Sequence, residues 1–196
     1  MFDLVRKQFG SWICGLLLMG ELVLAAWACA SDLPKQISGL DLVSGKNVTY
    51  SLEGSTRATV LVFLSTRCPC SASHQGVLSE LAQEFGPKGV RVLGLHSNAN
   101  ESVEEAARFF SHAQFSFPVI QDPGAVLADR FEAVQTPHVF VLSPQGEVLF
   151  QGGVDNSKSA EKATRPFLRE ALNEIVEGRP PKEKSVRVLG CQIQRP

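Results

Sequence analysis

An apolar run that leads into a cysteine-containing turn constrains this chain more than any other feature. Residues 59–64 read TVLVFL, and Ser65-Thr66-Arg67 then leads to Cys68-Pro69-Cys70-Ser71. A continuous apolar run bounded by turn residues is typical of a strand that is buried on both faces of a sheet. Apolar residues at helical spacing follow the cysteines directly. In α/β proteins, sites lie where such strands end, so the sequence predicts a redox site at this turn.

The reactivity of Cys68 is expected to follow from its position. A thiol near a helix N-terminus is stabilised as the thiolate, which is the nucleophilic form. Arg67 precedes it, and a neighbouring cation is predicted to lower the pKa of Cys68 further. The alternative is that Arg67 is a solvated surface charge.

Residues 1–30 have the character of a secretory signal peptide. Arg6 and Lys7 give a positive start, a largely apolar stretch follows, and small residues offer cleavage positions. A lipoprotein signal, with lipidation at Cys29, and an uncleaved anchor are the alternatives. The protein is therefore expected to be exported, either periplasmic or held at the membrane face, with membrane contact only through this N-terminal segment.

Export makes the remaining cysteines informative. Once the signal has left, Cys68, Cys70 and Cys191 remain, and thiols in an oxidising compartment are paired or reactive. Three is an odd number, so at least one thiol stays free or pairs with a substrate. The net charge of −1, with no basic block, predicts no nucleic-acid partner.

The remaining patterns predict one domain followed by a tail. A hairpin over 37–52, the buried strand, an α-β-α-β-α series, a late hairpin over 139–150 and a final helix over 167–176 predict a mixed sheet with helices on both faces. The domain is expected to span residues 31–178. Residues 179–196 form a charged C-terminal tail that carries Cys191.

These motifs resemble the thioredoxin-like superfamily. The Cys68-Pro69 turn, the helix after it, and Thr136-Pro137 before the late hairpin occur in the order found in exported redoxins of the alkyl hydroperoxide reductase/thiol-specific antioxidant type. The likeness covers nearly all of the mature chain. It implies a three-layer α/β/α sandwich with a mixed central sheet, and a cis peptide bond between Thr136 and Pro137 in a loop that faces Cys68.

The leading functional prediction is thiol–disulfide exchange with Cys68 as the nucleophile. The sequence departs from the thioredoxin pattern because Ser71 stands where the second cysteine is usual. The resolving thiol is therefore Cys70, whose disulfide would close a small strained ring, or Cys191, which would have to fold back over the site. The expected partners are a protein or small-molecule disulfide or thiol and a reducing or oxidising redox protein, and no cofactor is expected.

A thiol peroxidase is the alternative within the same class. Ser65, three residues before Cys68, fits a peroxidatic cysteine. Peroxiredoxins, however, carry a Pro where this chain has Leu61, and an Arg close to the start of the strand where this chain has Thr136-Pro137-His138. Without that Arg, the donor that polarises the peroxide is lost.

A copper-binding or copper-delivery module is the alternative from a different class. Cys68, Cys70 and His74 supply two soft ligands and an imidazole within seven residues, and His138 would approach from the Thr136-Pro137 loop. Thiolates together with imidazole suit Cu(I) or Zn. The spacing does not match a known closed site, so this remains an alternative.

Overall fold

The computed structural model describes residues 33–54, 56–113 and 115–196. The predicted signal peptide, including Cys29, lies outside these residues. None of the helices in the described ranges combines the length and hydropathy that crossing a membrane would require. The elements in chain order are β1 (Gln36–Asp41), β2 (Lys46–Ser51), β3 (Ala58–Leu64), α1 (Pro69–Phe85), β4 (Val90–His96), α2 (Val103–His112), β5 (Val119–Gln121), α3 (Val126–Arg130), β6 (Gln135–Thr136), β7 (His138–Leu142), β8 (Val148–Gly152), α4 (Phe167–Val176) and β9 (Cys191–Gln192).

Seven strands form a mixed central sheet in the order β2-β1-β5-β4-β3-β7-β8. Strands β3, β4 and β5 run parallel, and the hairpins at both edges add antiparallel pairs. β3 lies between β4 and β7, and all seven of its residues are buried. The prediction of a strand buried on both faces is therefore confirmed. Its last residue, Leu64, lies beside His96 of β4, so the turn that follows β3 lies at the carboxyl edge of the parallel strands.

The sheet separates two apolar layers, because successive side chains of β3 point to opposite faces. Val60, Val62 and Leu64 pack into a cluster with residues of α1, α2 and α4. Leu61 and Phe63 pack on the other face, with residues of α3 and the loops. The predicted three-layer arrangement with a mixed sheet is confirmed. The hairpins and four helices also occur where the residue patterns placed them.

The C-terminal segment 179–196 packs against this domain. Ile193, only 2% exposed, belongs to the second apolar cluster. Its backbone N–H donates to the carbonyl oxygen of Val134 at 3.0 Å, and the carbonyl oxygen of Gln194 accepts from Ala99 N at 2.8 Å. One compact unit extends through Pro196, so residue 178 is not a structural boundary. The tail returns to the carboxyl edge of the sheet, where Cys68 lies.

Candidate active site

Cys68 is the N-cap residue of α1. Pro69 occupies the first helical turn, where a missing N–H costs nothing. The Sγ atom of Cys68 accepts a hydrogen bond from the backbone N–H of Ser71 at 3.4 Å. The side chain is only 2% exposed. The sulfur therefore lies at the positive end of a 17-residue helix, in an environment that favours its ionised form.

The loop before β7 forms the opposite wall of the site. The peptide bond between Thr136 and Pro137 is cis, as the resemblance implied. As a thiol, Cys68 donates from Sγ to the carbonyl oxygen of Thr136 at 3.0 Å. Thr136 is also paired with Cys191, because β6 and β9 form a two-stranded antiparallel sheet in that register. This small sheet therefore brings a residue 123 positions away in sequence against Cys68.

The three cysteines of the described chain form one cluster. Cys68, Cys70 and Cys191 are all free thiols in this structure, and their Sγ atoms all lie within 4.8 Å of one another. Cys68 and Cys70 are buried, and Cys191 is partly exposed. The structure thus places both candidate resolving thiols next to the predicted nucleophile.

The surroundings of Cys68 lower its pKa. Burial by itself raises the pKa of a thiol, but hydrogen bonds to the sulfur outweigh burial here and bring the pKa of Cys68 to about 7. The contacts responsible are with Cys191, Thr136 and Ser71, and the backbone N–H of Ser71 donates to the sulfur at 3.4 Å. A substantial fraction of Cys68 is therefore thiolate at neutral pH, as a nucleophile requires.

The other two thiols are shifted in the opposite direction. Burial raises the pKa of Cys70, and the nearby Cys68 charge raises it further. Burial and the interaction with Cys68 raise the pKa of Cys191 to about 12. A negative charge on one sulfur opposes ionisation of its neighbours. When one thiol of the cluster ionises, these opposite shifts favour Cys68 as the group that carries the charge.

The structure gives no support to the predicted effect of Arg67 on Cys68, because the guanidinium group is engaged elsewhere. It forms a bidentate ion pair with Glu105, with N–O distances of 2.8 and 2.6 Å. The Arg67 side chain is 55% exposed. The alternative reading, a solvated surface charge, describes Arg67 correctly.

The two histidines of the metal hypothesis lie apart from the sulfur cluster. His74 is buried, with Nδ1 2.7 Å from the carbonyl oxygen of Cys70 and Nε2 3.0 Å from Oδ2 of Asp155. Both ring nitrogens are therefore already engaged. His138 stacks on Phe140 at 4.5 Å, and burial lowers its pKa to about 4, so it is neutral at physiological pH. Neither ring joins the three thiols.

A buried carboxylate that sequence reasoning missed fixes the turn before Cys68. Glu101 accepts hydrogen bonds from the hydroxyl of Ser65 at 2.5 Å, and from the backbone N–H and hydroxyl of Thr66 at 2.8 and 2.7 Å. Nε2 of His96 lies 2.8 Å from the same carboxylate. Burial opposes ionisation, but these contacts with His96, Ser65 and Thr66 prevail and lower the pKa of Glu101 to about 2. Its position directly before the helix-capping Ser102 was the only sequence signal.

Comparisons with known proteins agree with this geometry. Residues 34–151 match the model of the AhpC/TSA family. A thiol-disulfide oxidoreductase ResA from Halalkalibacterium halodurans is 28% identical over 111 residues, which are 56% of this chain and 61% of ResA. The chain thus spans about three fifths of that relative's length.

Two solved structures have the same fold. An uncharacterized conserved protein from Geobacillus kaustophilus has a TM-score of 0.73 at 25% identity, covering 82% of this chain and 89% of that one. A putative thiol:disulfide interchange protein DsbE from Chlorobium tepidum has a TM-score of 0.56 at 19% identity, covering 74% of this chain and 97% of its own. The family match covers more than half of the 196 residues, and the chain belongs to the AhpC/TSA family, as a redoxin with a thioredoxin-like fold.

Proposed function

We propose that this protein is an exported thiol–disulfide oxidoreductase in which Cys68 is the nucleophile and Cys191 the resolving thiol. One observation carries the proposal. The sulfur of Cys68, whose pKa is about 7, lies at a helix N-terminus within 4.8 Å of the sulfur of Cys191. A thiolate next to a protonated thiol is the arrangement that disulfide exchange needs.

The exchange proceeds in two steps. The Cys68 thiolate attacks one sulfur of a substrate disulfide, which forms a mixed disulfide and releases the other sulfur as a thiolate that takes up a proton. Cys191 then loses its proton and attacks Sγ of Cys68. This second step releases the remaining substrate thiol and leaves a Cys68–Cys191 disulfide. The protein has lost two electrons, the substrate has gained them, and a dithiol partner restores the reduced form.

Cys191 fits the resolving role better than Cys70. Cys70 lies in the first turn of α1, two positions from Cys68. A disulfide between them would close a small ring and distort the start of the helix, since disulfides have narrow geometric requirements. Cys191 lies on a separate two-residue strand that faces Thr136, so its sulfur is free to approach Cys68 from outside the helix.

Substrate access requires the tail to open. Cys68 is 2% exposed, and β9 occupies the edge of β6 immediately beside it. A substrate chain reaches the sulfur when β9 leaves β6. The same movement exposes the backbone of residues 135–136, which offers unpaired hydrogen-bonding groups to an extended peptide.

A relative supports the redox class, and the N-terminal sequence supports the export. ResA of Halalkalibacterium halodurans is by name a thiol-disulfide oxidoreductase, and the signal-like composition of residues 1–30 supports an extracytoplasmic location. The peroxidase alternative is less well supported. The Ser65 hydroxyl donates to Glu101, and within the described ranges no arginine hydrogen-bonds Cys68.

The experiment is a disulfide-reduction assay with single serine variants. The reduced protein and its Cys68→Ser, Cys70→Ser and Cys191→Ser variants are incubated with a disulfide-containing protein such as insulin, and products are mapped after alkylation. We expect Cys68→Ser to be inactive, Cys191→Ser to accumulate a mixed disulfide at Cys68, and Cys70→Ser to retain exchange. An active Cys68→Ser variant would overturn the mechanism. A mixed disulfide that accumulates in Cys70→Ser and not in Cys191→Ser would overturn the assignment of Cys191.

A further inference from the structure

Cys70 has no task in an exchange cycle between Cys68 and Cys191. Its thiol is nevertheless buried, and it shares the cluster in which the three Sγ atoms lie within 4.8 Å of one another. Two of these sulfurs come from one end of α1, and the third comes from β9 on the other side of the cleft. A cycle between two thiols therefore gives the third sulfur of this cluster no role.

Three thiols around one point form a donor set for a soft metal ion. Thiolate ligands select Cu(I) and other thiophilic ions, whereas carboxylate and carbonyl oxygens suit Mg or Ca. Structural zinc sites almost always have four ligands in a tetrahedron. Within the described ranges, no histidine, aspartate or glutamate joins the three sulfurs in this cluster. The donor set therefore fits an ion that accepts three ligands better than one that needs four.

The histidines of the sequence-based metal hypothesis do not join the three sulfurs as a fourth ligand. The two ring nitrogens of His74 contact the carbonyl oxygen of Cys70 and the carboxylate of Asp155. Nδ1 of His138 accepts from the backbone N–H of Val134 at 3.4 Å. The contacts of His74 instead link the first turn of α1, which carries Cys70, to Asp155.

We propose that the reduced protein binds one Cu(I) ion through the three sulfurs of Cys68, Cys70 and Cys191. Binding displaces the thiol protons and changes no oxidation state. The ion would bridge the start of α1 and strand β9. The site exists only in the reduced protein, since a Cys68–Cys191 disulfide removes two of its three ligands. Copper binding and disulfide exchange therefore exclude each other at the same sulfurs.

The test is an anaerobic competition titration of the reduced protein with Cu(I) against a chromophoric Cu(I) chelator. We expect one equivalent to bind, with an X-ray absorption spectrum of three sulfur ligands. Each of Cys68→Ser, Cys70→Ser and Cys191→Ser should weaken binding by at least about tenfold. Removal of a residue that only supports a metal ligand already costs about tenfold in affinity, and these residues are the ligands themselves. His138→Gln is the matched control and should bind as the wild type does.

The Cys70→Ser variant separates this proposal from the proposed function, because it should lose copper and retain exchange. If Cys70→Ser binds Cu(I) as tightly as the wild type, or the bound ion shows only two sulfurs, the three-thiolate site is wrong. If Zn(II) displaces Cu(I) from the wild type at equal concentration, the selectivity argument is wrong. A circular-dichroism spectrum of each variant confirms that any loss of binding is not loss of fold.

Discussion

The two segments that flank Cys68 are held in very different ways. On one side, the turn Ser65–Arg67 is anchored by the buried Glu101 carboxylate, which accepts hydrogen bonds from the hydroxyl of Ser65 and from two groups of Thr66. On the other side, the two-residue strand β9 pairs with the two-residue strand β6, and the tail is further held by Ile193 in the second apolar cluster. The nucleophile proposed here is thus fixed to the sheet by a buried carboxylate, whereas its proposed partner lies on a short segment that the exchange cycle requires to move, the mobile side of the site.

The same difference fits the proposed division of chemical roles between Cys68 and Cys191. A nucleophile with a lowered pKa needs donors at fixed positions, and preorganised dipoles act without further rearrangement. A resolving thiol must instead move toward Cys68 in one step and away from it in another. The β6–β9 ladder itself is only two residues long, so the movement breaks few strand-pairing bonds, although it must also release Ile193 from the second apolar cluster.

The largest expected effect is on the rigid side. Glu101→Gln replaces an acceptor that faces several donors with a group that carries donors of its own, and it removes charge-assisted hydrogen bonds. We expect the free energy of unfolding to fall by about 2–4 kcal/mol, as is usual when a buried charged partner is lost. Denaturant unfolding at neutral pH measures this loss. Glu105→Gln is the control, since that carboxylate is solvent-exposed, and it should leave the midpoint unchanged.

The stabilisation by Glu101 should be lost as the pH falls. The pKa of Glu101 is lowered in the folded protein from 4.5 to about 2, so the ionised carboxylate stabilises the fold above about pH 4.5. That contribution falls as the pH drops from 4.5 toward 2. The difference in unfolding free energy between wild type and Glu101→Gln should narrow over this range. A difference that stays constant would contradict the assignment of the stabilisation to the carboxylate charge.

A smaller effect is expected on the mobile side. A Cβ atom at Gly190 would collide with the carbonyl oxygen of Thr136, so Gly190→Ala should keep β9 from docking while the sheet remains folded. Overpacking of this kind costs roughly 1–3 kcal/mol, which raises the open fraction of the tail about 5- to 150-fold. The alkylation rate of Cys68 should rise accordingly when it is measured by mass spectrometry.

Gly76→Ala is the matched control for this tail variant, because a Cβ atom at Gly76 in α1 meets nothing within 4 Å. Its Cys68 should react at the wild-type rate. An unchanged rate in Gly190→Ala as well would mean that β9 does not limit access to Cys68.

The sequence predicted the rigid side better than the mobile one. Strand β3 is a continuous apolar run, and the Ser-x-x-Glu spacing of Ser102 and Glu105 is a helix-capping pattern, in which Ser102 Oγ accepts from the N–H of Glu105 at 3.1 Å. Such signals are local, so they can be read from neighbouring residues. The same local pattern indicated Cys68, whereas the cis bond before Pro137 came from the family resemblance and is required by no local pattern.

The features that the sequence left undecided depend on contacts between distant residues. Arg67 pairs with Glu105, which lies 38 positions away, and nothing around Arg67 indicates whether it turns toward the sulfur or away from it. Glu101 reaches Ser65 across 36 positions. The position of Cys191 follows from a two-residue strand in a tail without apolar periodicity. In each case the decisive partner is set by tertiary packing, which spacing along the chain does not encode.

The smallest expected effect tests which groups set the pKa of Cys68: the turn and the helix end alone, or these together with the tail. The rate of Cys68 alkylation, followed against pH, should show a midpoint near its pKa of about 7. Cys191→Ala removes one hydrogen bond to the sulfur and should move the midpoint to higher pH, because the thiolate loses a donor. Arg67→Ala should leave the midpoint unchanged, since its charge is paired with Glu105 and exposed to solvent.

A higher midpoint in Arg67→Ala would contradict that assignment and restore the role that the sequence suggested for this cation. An unchanged midpoint in Cys191→Ala would mean that the helix end and the Thr136 loop set the pKa without help from the tail. The midpoint shifts of the two variants relative to the wild type therefore show how far Arg67, in the turn, and Cys191, on β9, each lower the pKa of Cys68.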